Sequence, residues 1–515
     1  MTKIYKIFPS IGIARLGNSP DEYFIGPEAP GIVPPGKYRD NEGQIKRQGA
    51  RFRIYEYEVD QYGEATIQRE VTANDATINW SVHLVNSKAA GKRFPSRLNQ
   101  DRNSGYDRDD LTIDGGKYTI SGKHQAVGPL EGDITFIEEA KIKASANVKL
   151  GDLKTDDVGR LIVLGGHGKS ASPLGSEMVS FANNDGWYDD VSDGPVTATI
   201  KIGNETFDAT PAWVVVAAPA YAPGIDNMMT WYDQAVNVDA SYFHPHQKLA
   251  RPSFTKDIYP ILKRTVFLQW VSPSARGGHG TGTGGDFIAK VSQLNDNSDE
   301  NKPQRERVFD RLIKPNSSAP EPQQLASYPT NMPKLFSGVE PSNPLSAYIF
   351  PSLTQHQYLQ MEKWKDGDFD ADWPGSEPDP IPFDKLPREQ QPHALTQAAL
   401  EACIGGPFFP GIETTYLMTL PETYSAPFRI DPSHKPGYLT ENMALPWQAD
   451  FNDCGNFWWP AQRPVSVKVG DSFKDYSRGI IGYSGMVKHW SDLGFIVEQG
   501  NEYVETERRP INGES

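Results

Sequence analysis

Two cysteines occur in the 515 residues, and both fall in the last quarter of the chain, the stretch that also carries a tandem tryptophan. Cys403 sits in Ala402-Cys403-Ile404-Gly405-Gly406-Pro407-Phe408-Phe409-Pro410-Gly411-Ile412-Glu413. Cys454 follows Leu445-Pro446-Trp447-Gln448-Ala449-Asp450-Phe451 and precedes Trp458-Trp459-Pro460-Ala461-Gln462-Arg463-Pro464. Residues of these types allow three outcomes. The cysteines can form a disulfide, or they can be two buried, unreactive thiols beside an aromatic core cluster. The third is a sulfur bonded covalently to an indole ring. That bond needs the two groups in van der Waals contact, and their separation along the chain is no obstacle because loop closure costs grow only logarithmically. In an extended segment Trp458 and Trp459 point to opposite faces, so one of them can meet a given sulfur. We place Trp458 first and keep Trp459.

Polar residues near these segments add candidates. Asp450 lies between the two tryptophan clusters and can serve as a base or an orienting carboxylate, or as a helix cap or salt-bridge partner. Glu401 is the acid nearest Cys403 in sequence. Arg429 and Arg463 can clamp a carboxylate through two oxygens at once, or form structural ion pairs.

Other motifs look like chemistry and read differently. Gly165-Gly166-His167-Gly168-Lys169-Ser170 resembles a phosphate loop, but Val163 occupies the position of its first glycine, so no nucleotide is expected. Gly280-Thr281-Gly282-Thr283-Gly284-Gly285 fits GxGxxG without neighbouring βαβ units; a close-packed loop near the active site is the expectation. Asp366, Asp368, Asp370 and Glu377 imitate a calcium loop that Ala371 and Pro374 interrupt. His244-Pro245-His246 lacks a third ligand nearby, so no metal is expected. No Cys-x-x-Cys-His follows Phe254–Arg264, which excludes covalent haem.

The elements that must position these residues are short. With 46 glycines and 42 prolines, long uninterrupted helices should be few. Strands are expected from Arg51 to about Val148, among them 52–59 and 65–67, and then at 161–164, 196–200 and 212–216. Helices are expected at Asp257–Arg264, Asp286–Leu294, Gln355–Lys365 and His393–Cys403. The last would bury Cys403 near its end, with Gly405-Gly406 stopping it. Asn295–Ser327 reads as a surface excursion or lobe boundary, and Trp373–Pro392 as another. The whole is an α+β protein with a large, mainly antiparallel β body, short helices and long Gly/Pro-rich loops. We divide it into a mainly β part, 1–250, and a mixed part, 251–515, packed as one body. A net charge of −15 argues against nucleic acid or anionic membrane as partners. No stretch reaches the roughly 20 apolar residues of a membrane span. The N-terminus lacks a signal-peptide apolar region, which fits a cytoplasmic protein or one exported by another route.

The two C-terminal segments resemble the lysine ε-oxidase and glycine oxidase family of quinoproteins, in which a cysteine and a tryptophan are fused and oxidised to cysteine tryptophylquinone. The resemblance extends to Pro9-Ser10-Ile11-Gly12-Ile13-Ala14-Arg15-Leu16-Gly17-Asn18-Ser19, to Tyr23-Phe24-Ile25-Gly26-Pro27-Glu28, to Phe254-Thr255-Lys256-Asp257-Ile258-Tyr259-Pro260, and from Gln357-Tyr358 to Trp364. It implies Cys403 as the thioether donor to Trp458 or Trp459. It implies oxidative deamination of a free amino acid by a quinone that acts as electrophile and two-electron sink. L-Lysine at its ε-amine comes first as substrate and glycine next. O2 would be the acceptor, with an aldehyde or 2-oxo acid, NH3 and H2O2 as products. A flavin-dependent maturation protein and a homo-oligomer are implied as partners. His434 occupies a stretch where glycine-oxidising members place a substrate-facing histidine, and Tyr221 resembles a tyrosine of the substrate channel. Relatives carry an aspartate near the cysteine that is implicated in maturation; here no aspartate lies in the turn before Cys403. The rival readings are an amine dehydrogenase with a protein electron acceptor and an unmodified member that only binds.

Overall fold

The computed structural model describes residues 2–34, 36–91, 102–137, 143–315, 332, 352–406, 411, 413, 415–453 and 460–511. Its centre is a sheet of thirteen strands. In chain order these are β1 (Thr2–Phe8), β2 (Ile11–Arg15), β3 (Tyr23–Ile25), β4 (Arg47–Val59), β5 (Ala65–Val71), β6 (Thr77–Asn86), β7 (Ile113–Ser121), β8 (Ala126–Ile137), β9 (Lys143–Thr155), β10 (Leu161–Gly165), β11 (Ser192–Ile202), β12 (Glu205–Asp208) and β13 (Ala212–Ala217). The order across the sheet is β7-β6-β11-β13-β2-β4-β10-β9-β8, with β1, β3 and β5 added on β4 and β12 on β11. The two end strands approach each other at Gly132, where a Cβ would collide with the Asp114 backbone. The sheet therefore curls back toward itself. Glycine there permits the backbone contact.

Pairing is antiparallel except at two places, and one of them positions the site. β13 runs parallel to β2, Trp213 opposite Ile11 through Ala217 opposite Arg15, so both strands end side by side. Both are buried along their whole length, as expected of strands covered on two faces. The period of two sorts their side chains. Ala14, Val214 and Val216 join the main core, whereas Ile11, Ile13, Trp213 and Val215 join a second cluster that contains Cys403.

Helices cover that second face. α1 (Trp231–Val238) starts at a capping box made by Thr230 and Asp233, which satisfies two N–H groups at its first turn. α2 (Tyr259–Phe267) and α3 (Gln355–Lys365) build a separate apolar cluster around Phe254, Trp364 and Phe369. α4 (Gln391–Glu401) presents Ala399 and Leu400 to the Cys403 cluster. Its Thr396 accepts from the Ser10 backbone N–H at 3.0 Å, which pins the helix to the start of β2. α5 (Trp447–Asp453) leads toward the tryptophan pair.

The strands at 52–59, 65–67, 161–164, 196–200 and 212–216 and the helix at Gln355–Lys365 form where the sequence places them. Three expectations change. Only Val291–Leu294 of the Asp286–Leu294 stretch is helical, because the Asp286 carboxylate accepts the Gly282 and Ala289 N–H groups and holds a turn instead. The segment after Asn295 is more than a surface excursion. It contains the helix Lys302–Phe309, and the fully buried Arg305 there donates to the carbonyls of Ser298 and Lys365. The Gly280–Gly285 loop is close-packed only at its ends: Gly280 and Gly285 lie against the Arg276 and Gly278 carbonyls, whereas Gly282 and Gly284 face open space. Gly282 adopts φ +79°, a conformation that glycine reaches without strain.

The glycine run after β10 docks α5. Gly168 has φ +75° and lies where a Cβ would strike the Trp490 ring. Its carbonyl accepts from Gln448 Nε2 at 3.2 Å, and Ser170 Oγ donates to Gln448 Oε1 at 2.7 Å. A buried charge pair holds the same N-terminal end of this helix. Lys88 Nζ lies 2.5 Å from Asp189 Oδ2, both side chains fully buried, and that oxygen also accepts the Trp447 N–H at 3.0 Å. Lys88→Met should therefore cost about 3 kcal/mol or more, since it leaves a buried carboxylate without its counter-ion. Urea titration of the purified variant checks this.

Among the described residues no helix is long and apolar enough to cross a membrane. No group of three or more His, Cys, Asp and Glu side chains among them could hold a metal ion. The acidic loop at Asp366–Asp370 is engaged by cations of its own, with Asp368 paired to Lys363 and Arg251 and Asp370 to Arg251.

Candidate active site

Cys403 is a free thiol, 2% exposed, just beyond α4. The helix stops at Glu401, short of the expected end, because the chain turns to pair with the segment before α1. The Trp231 N–H donates to the Cys403 carbonyl at 2.9 Å, and the Gly405 N–H donates to the Met229 carbonyl at 2.8 Å. A Cβ at Gly405 would collide with the Thr230 backbone; glycine allows this close pairing.

Arg15, at the end of β2, reaches into the turn. Its Nη2 donates to the Ala402 carbonyl at 2.8 Å and lies 3.7 Å from Cys403 Sγ. Its Nη1 donates to the Ala218 carbonyl at 2.9 Å and pairs with Glu413, both side chains almost fully buried. Glu413 also accepts the Ile404 N–H at 2.9 Å. Burial pushes the thiol well above its usual range; Glu413 adds to the rise and Arg15 opposes it. In this state the sulfur is a protonated thiol.

A second charged group adjoins the first. Arg264 on α2 faces three carboxylates: Asp233 at 2.9 Å, Glu401 at 3.6 Å and Asp226 at 3.9 Å. Burial raises Glu401 to about 7 against the pull of Arg264. Asp226 differs from its neighbours. Its side chain is 39% accessible, against 15% for Asp233 and 18% for Glu401. Desolvation nonetheless lifts its carboxyl above the usual range.

The chain from Pro460 onward reaches the same seam. Gln462 Nε2 donates to the Pro219 carbonyl at 3.0 Å, next to the Ala218 carbonyl held by Arg15. Phe451 of α5 packs against Tyr221 at 5.5 Å between ring centroids, and its carbonyl accepts from Arg463 Nε at 2.7 Å. The chain immediately after Trp459 and the loop carrying Cys403 thus meet at the end of β13. Cys454, Trp458 and Trp459 themselves lie outside the described residues.

The remaining sequence candidates have these settings. Tyr221 is fully buried, packed against Phe451, Tyr476 and Phe495, and its hydroxyl donates to the Trp490 carbonyl at 2.5 Å. Tyr221→Phe should therefore lower stability by about 1–2 kcal/mol through the lost buried hydrogen bond, seen as a lower midpoint in thermal unfolding. Asp450 is buried on α5, 2% exposed. His434 stacks on Tyr438 at 3.9 Å, and its Nε2 lies 3.0 Å from the Glu422 carbonyl. Arg429 donates to the Pro211 and Ile7 carbonyls at 2.7 and 2.9 Å, over the Phe8 ring. Arg463 donates to backbone carbonyls and lies over Phe451 and Tyr476. Both guanidiniums are engaged by backbone and aromatic rings.

The structure brings Cys403 together with Arg15 and Glu413, and gathers Asp226, Asp233 and Glu401 around Arg264; Arg15, Glu413, Asp226 and Arg264 are not singled out for chemistry in the sequence. A signal was present for Arg15. A charge inside the apolar run Ile11-Gly12-Ile13-Ala14-Arg15-Leu16 must find a buried partner.

Residues 8–216 match the family model for the N-terminal part of L-lysine epsilon oxidase, and residues 337–470 match its C-terminal domain. The chain belongs to the L-lysine ε-oxidase family. The first match ends within β13, beside the seam, and the second contains Cys403 and both tryptophans of the pair. The L-lysine 6-oxidase of Marinomonas mediterranea is 26% identical over 98% of this chain and 89% of its own. The crystal structure of the L-Lys ε-oxidase from that organism superposes with a TM-score of 0.78 at 25% identity, covering 98% of this chain and 94% of the other. The structure of its Schiff base intermediate with L-Lys gives a TM-score of 0.77 at 25% identity, covering 98% and 95%.

Proposed function

We propose that this family member is a quinoprotein amino-acid oxidase acting on the ε-amine of L-lysine ahead of glycine. O2 would be the electron acceptor, and an aldehyde, NH3 and H2O2 the products. The observation that carries the reading is the convergence of the buried Cys403 sulfur and the segment following Trp459 on Ala218–Pro219. A thioether between Cys403 and Trp458 or Trp459 fits this seam. The sulfur is unpaired with any described cysteine and shielded by Trp213, Trp231 and Ile11. Once oxidised to cysteine tryptophylquinone, the pair supplies an electrophilic carbonyl and a two-electron sink.

The chain's own residues would do the rest. Asp226, the most accessible of the three carboxylates around Arg264, would accept the proton from the amine-bearing carbon of the substrate. Arg264 holds Asp233 and Glu401 in place around it. Three carboxylates share one guanidinium there, an excess of acidic side chains. That favours lysine, with its net positive charge, over zwitterionic glycine. The apolar cluster around Ile11, Ile13, Trp213 and Trp231 excludes water from the sulfur side.

Oxygen uptake with L-lysine and with glycine, beside peroxide and ammonia yields, tests the reading on protein co-produced with its flavin-dependent partner. Equal yields of peroxide and ammonia, with lysine preferred, are expected. Turnover that needs a protein acceptor instead of O2 would assign a dehydrogenase. No turnover with either amino acid would overturn the reading.

A further inference from the structure

The turn carrying Cys403 is gripped by one ion pair from both sides. Arg15 holds the carbonyl of Ala402, the residue before Cys403, at 2.8 Å. Glu413 holds the N–H of Ile404, the residue after it, at 2.9 Å. Arg15 and Glu413 are bound to each other, 3% and 2% exposed at the side chain. Between the two held peptide groups the sulfur lies 3.7 Å from the guanidinium. A buried structural cysteine behaves as a small hydrophobe and needs no such surroundings. Burying two charges is costly, and replacing such pairs by neutral residues is often neutral or stabilising. Stability alone does not account for a charge pair placed against a sulfur.

We propose that the Arg15–Glu413 pair positions the Cys403 sulfur for cross-linking to tryptophan, and that Arg15 balances the sulfur's negative charge as the bond forms. The proposal rests on the quinoprotein reading. In the step, the Sγ–H bond and one indole C–H bond break and one Sγ–C bond forms. Two electrons and two protons pass to an oxidised flavin of the maturation partner, which becomes reduced flavin and is reoxidised by dioxygen. Arg15 and Glu413 are unchanged at the end. Arg15 is a positioning residue here; its planar fork reaches Ala402, Ala218, Glu413 and the sulfur together, which an ammonium group cannot do.

The test uses the full chain co-produced with a flavin-dependent maturation partner, followed by tryptic digestion and mass spectrometry of the Cys403 peptide. The decisive variant changes both members, Arg15→Gln with Glu413→Gln, so that no buried charge is left alone and amide acceptors and donors remain. Its cross-linked fraction should fall at least tenfold while thermal unfolding stays cooperative. Arg15→Lys, which keeps the charge and loses the fork, should give an intermediate fraction. Wild-type levels of cross-link in the double variant would overturn the proposal. A double variant that does not fold would assign the pair to the scaffold and overturn it as well. A wild-type chain without any thioether would instead defeat the quinoprotein reading, so the two failures are distinguishable.

Discussion

Cys403→Ala is expected to abolish amino-acid oxidation while leaving a folded chain. The substitution removes the sulfur, and with it the cross-link on which the two-electron chemistry depends. Turnover should drop by on the order of 10³-fold or more, as when a covalent catalyst is removed. The structural cost is small, about 1–2 kcal/mol for a buried side chain of this size. Arg15 keeps the Ala218 and Ala402 carbonyls and Glu413, so no charge is orphaned. Oxygen uptake with L-lysine and urea unfolding of the same preparation measure the two effects. Cys454→Ala is the control and should retain activity. The opposite pattern would exchange the cysteines.

The next largest effect is expected at Asp226. Asp226→Asn keeps the shape of the side chain and removes its ability to take a proton. Loss of a general base costs typically 10²–10⁴-fold in turnover, and a drop within that range is the expected result. Folding should survive because Arg264 retains Asp233 at 2.9 Å. The pH profile provides the sharper readout. A base must be ionised to act, and the Asp226 carboxyl is held above the usual carboxylate range by desolvation. Turnover in the unaltered chain should therefore rise with pH through that raised value and then level off. In Asp226→Asn this limb should disappear. An unchanged profile and rate would remove Asp226 from the chemistry.

Much of the architecture was legible because it rests on local pattern. The β-rich runs at 52–59 and 212–216 formed strands, since apolar and β-branched residues between turn residues leave few alternatives. α3 formed at its expected bounds because Thr354 and Gln357 make a capping box before an apolar-periodic run. The end of α4 was misplaced because nothing local marks it. The helix stops where Cys403 and Gly405 find backbone partners in Met229 and Trp231, a pairing made in tertiary structure. The surroundings of the sulfur were illegible for the same reason. Cys403 and Glu413 share one segment, and Arg15, Asp226 and Arg264 come from three others. Only the parallel register of β2 with β13 and the turn before α1 bring them together. The sequence singles out Cys403 as the expected thioether donor and leaves the charges that surround it unmarked.

The central claim is that Cys403 is bonded to one tryptophan of the pair Trp458-Trp459. The mass of the tryptic fragments from active protein, co-produced with its flavin-dependent partner, tests it most directly. The account predicts a single cross-linked species that joins the Cys403 and Trp458-Trp459 peptides through a thioether, with the added oxygens of a quinone on the same tryptophan. Separate, unmodified peptides from a preparation that oxidises L-lysine would contradict it.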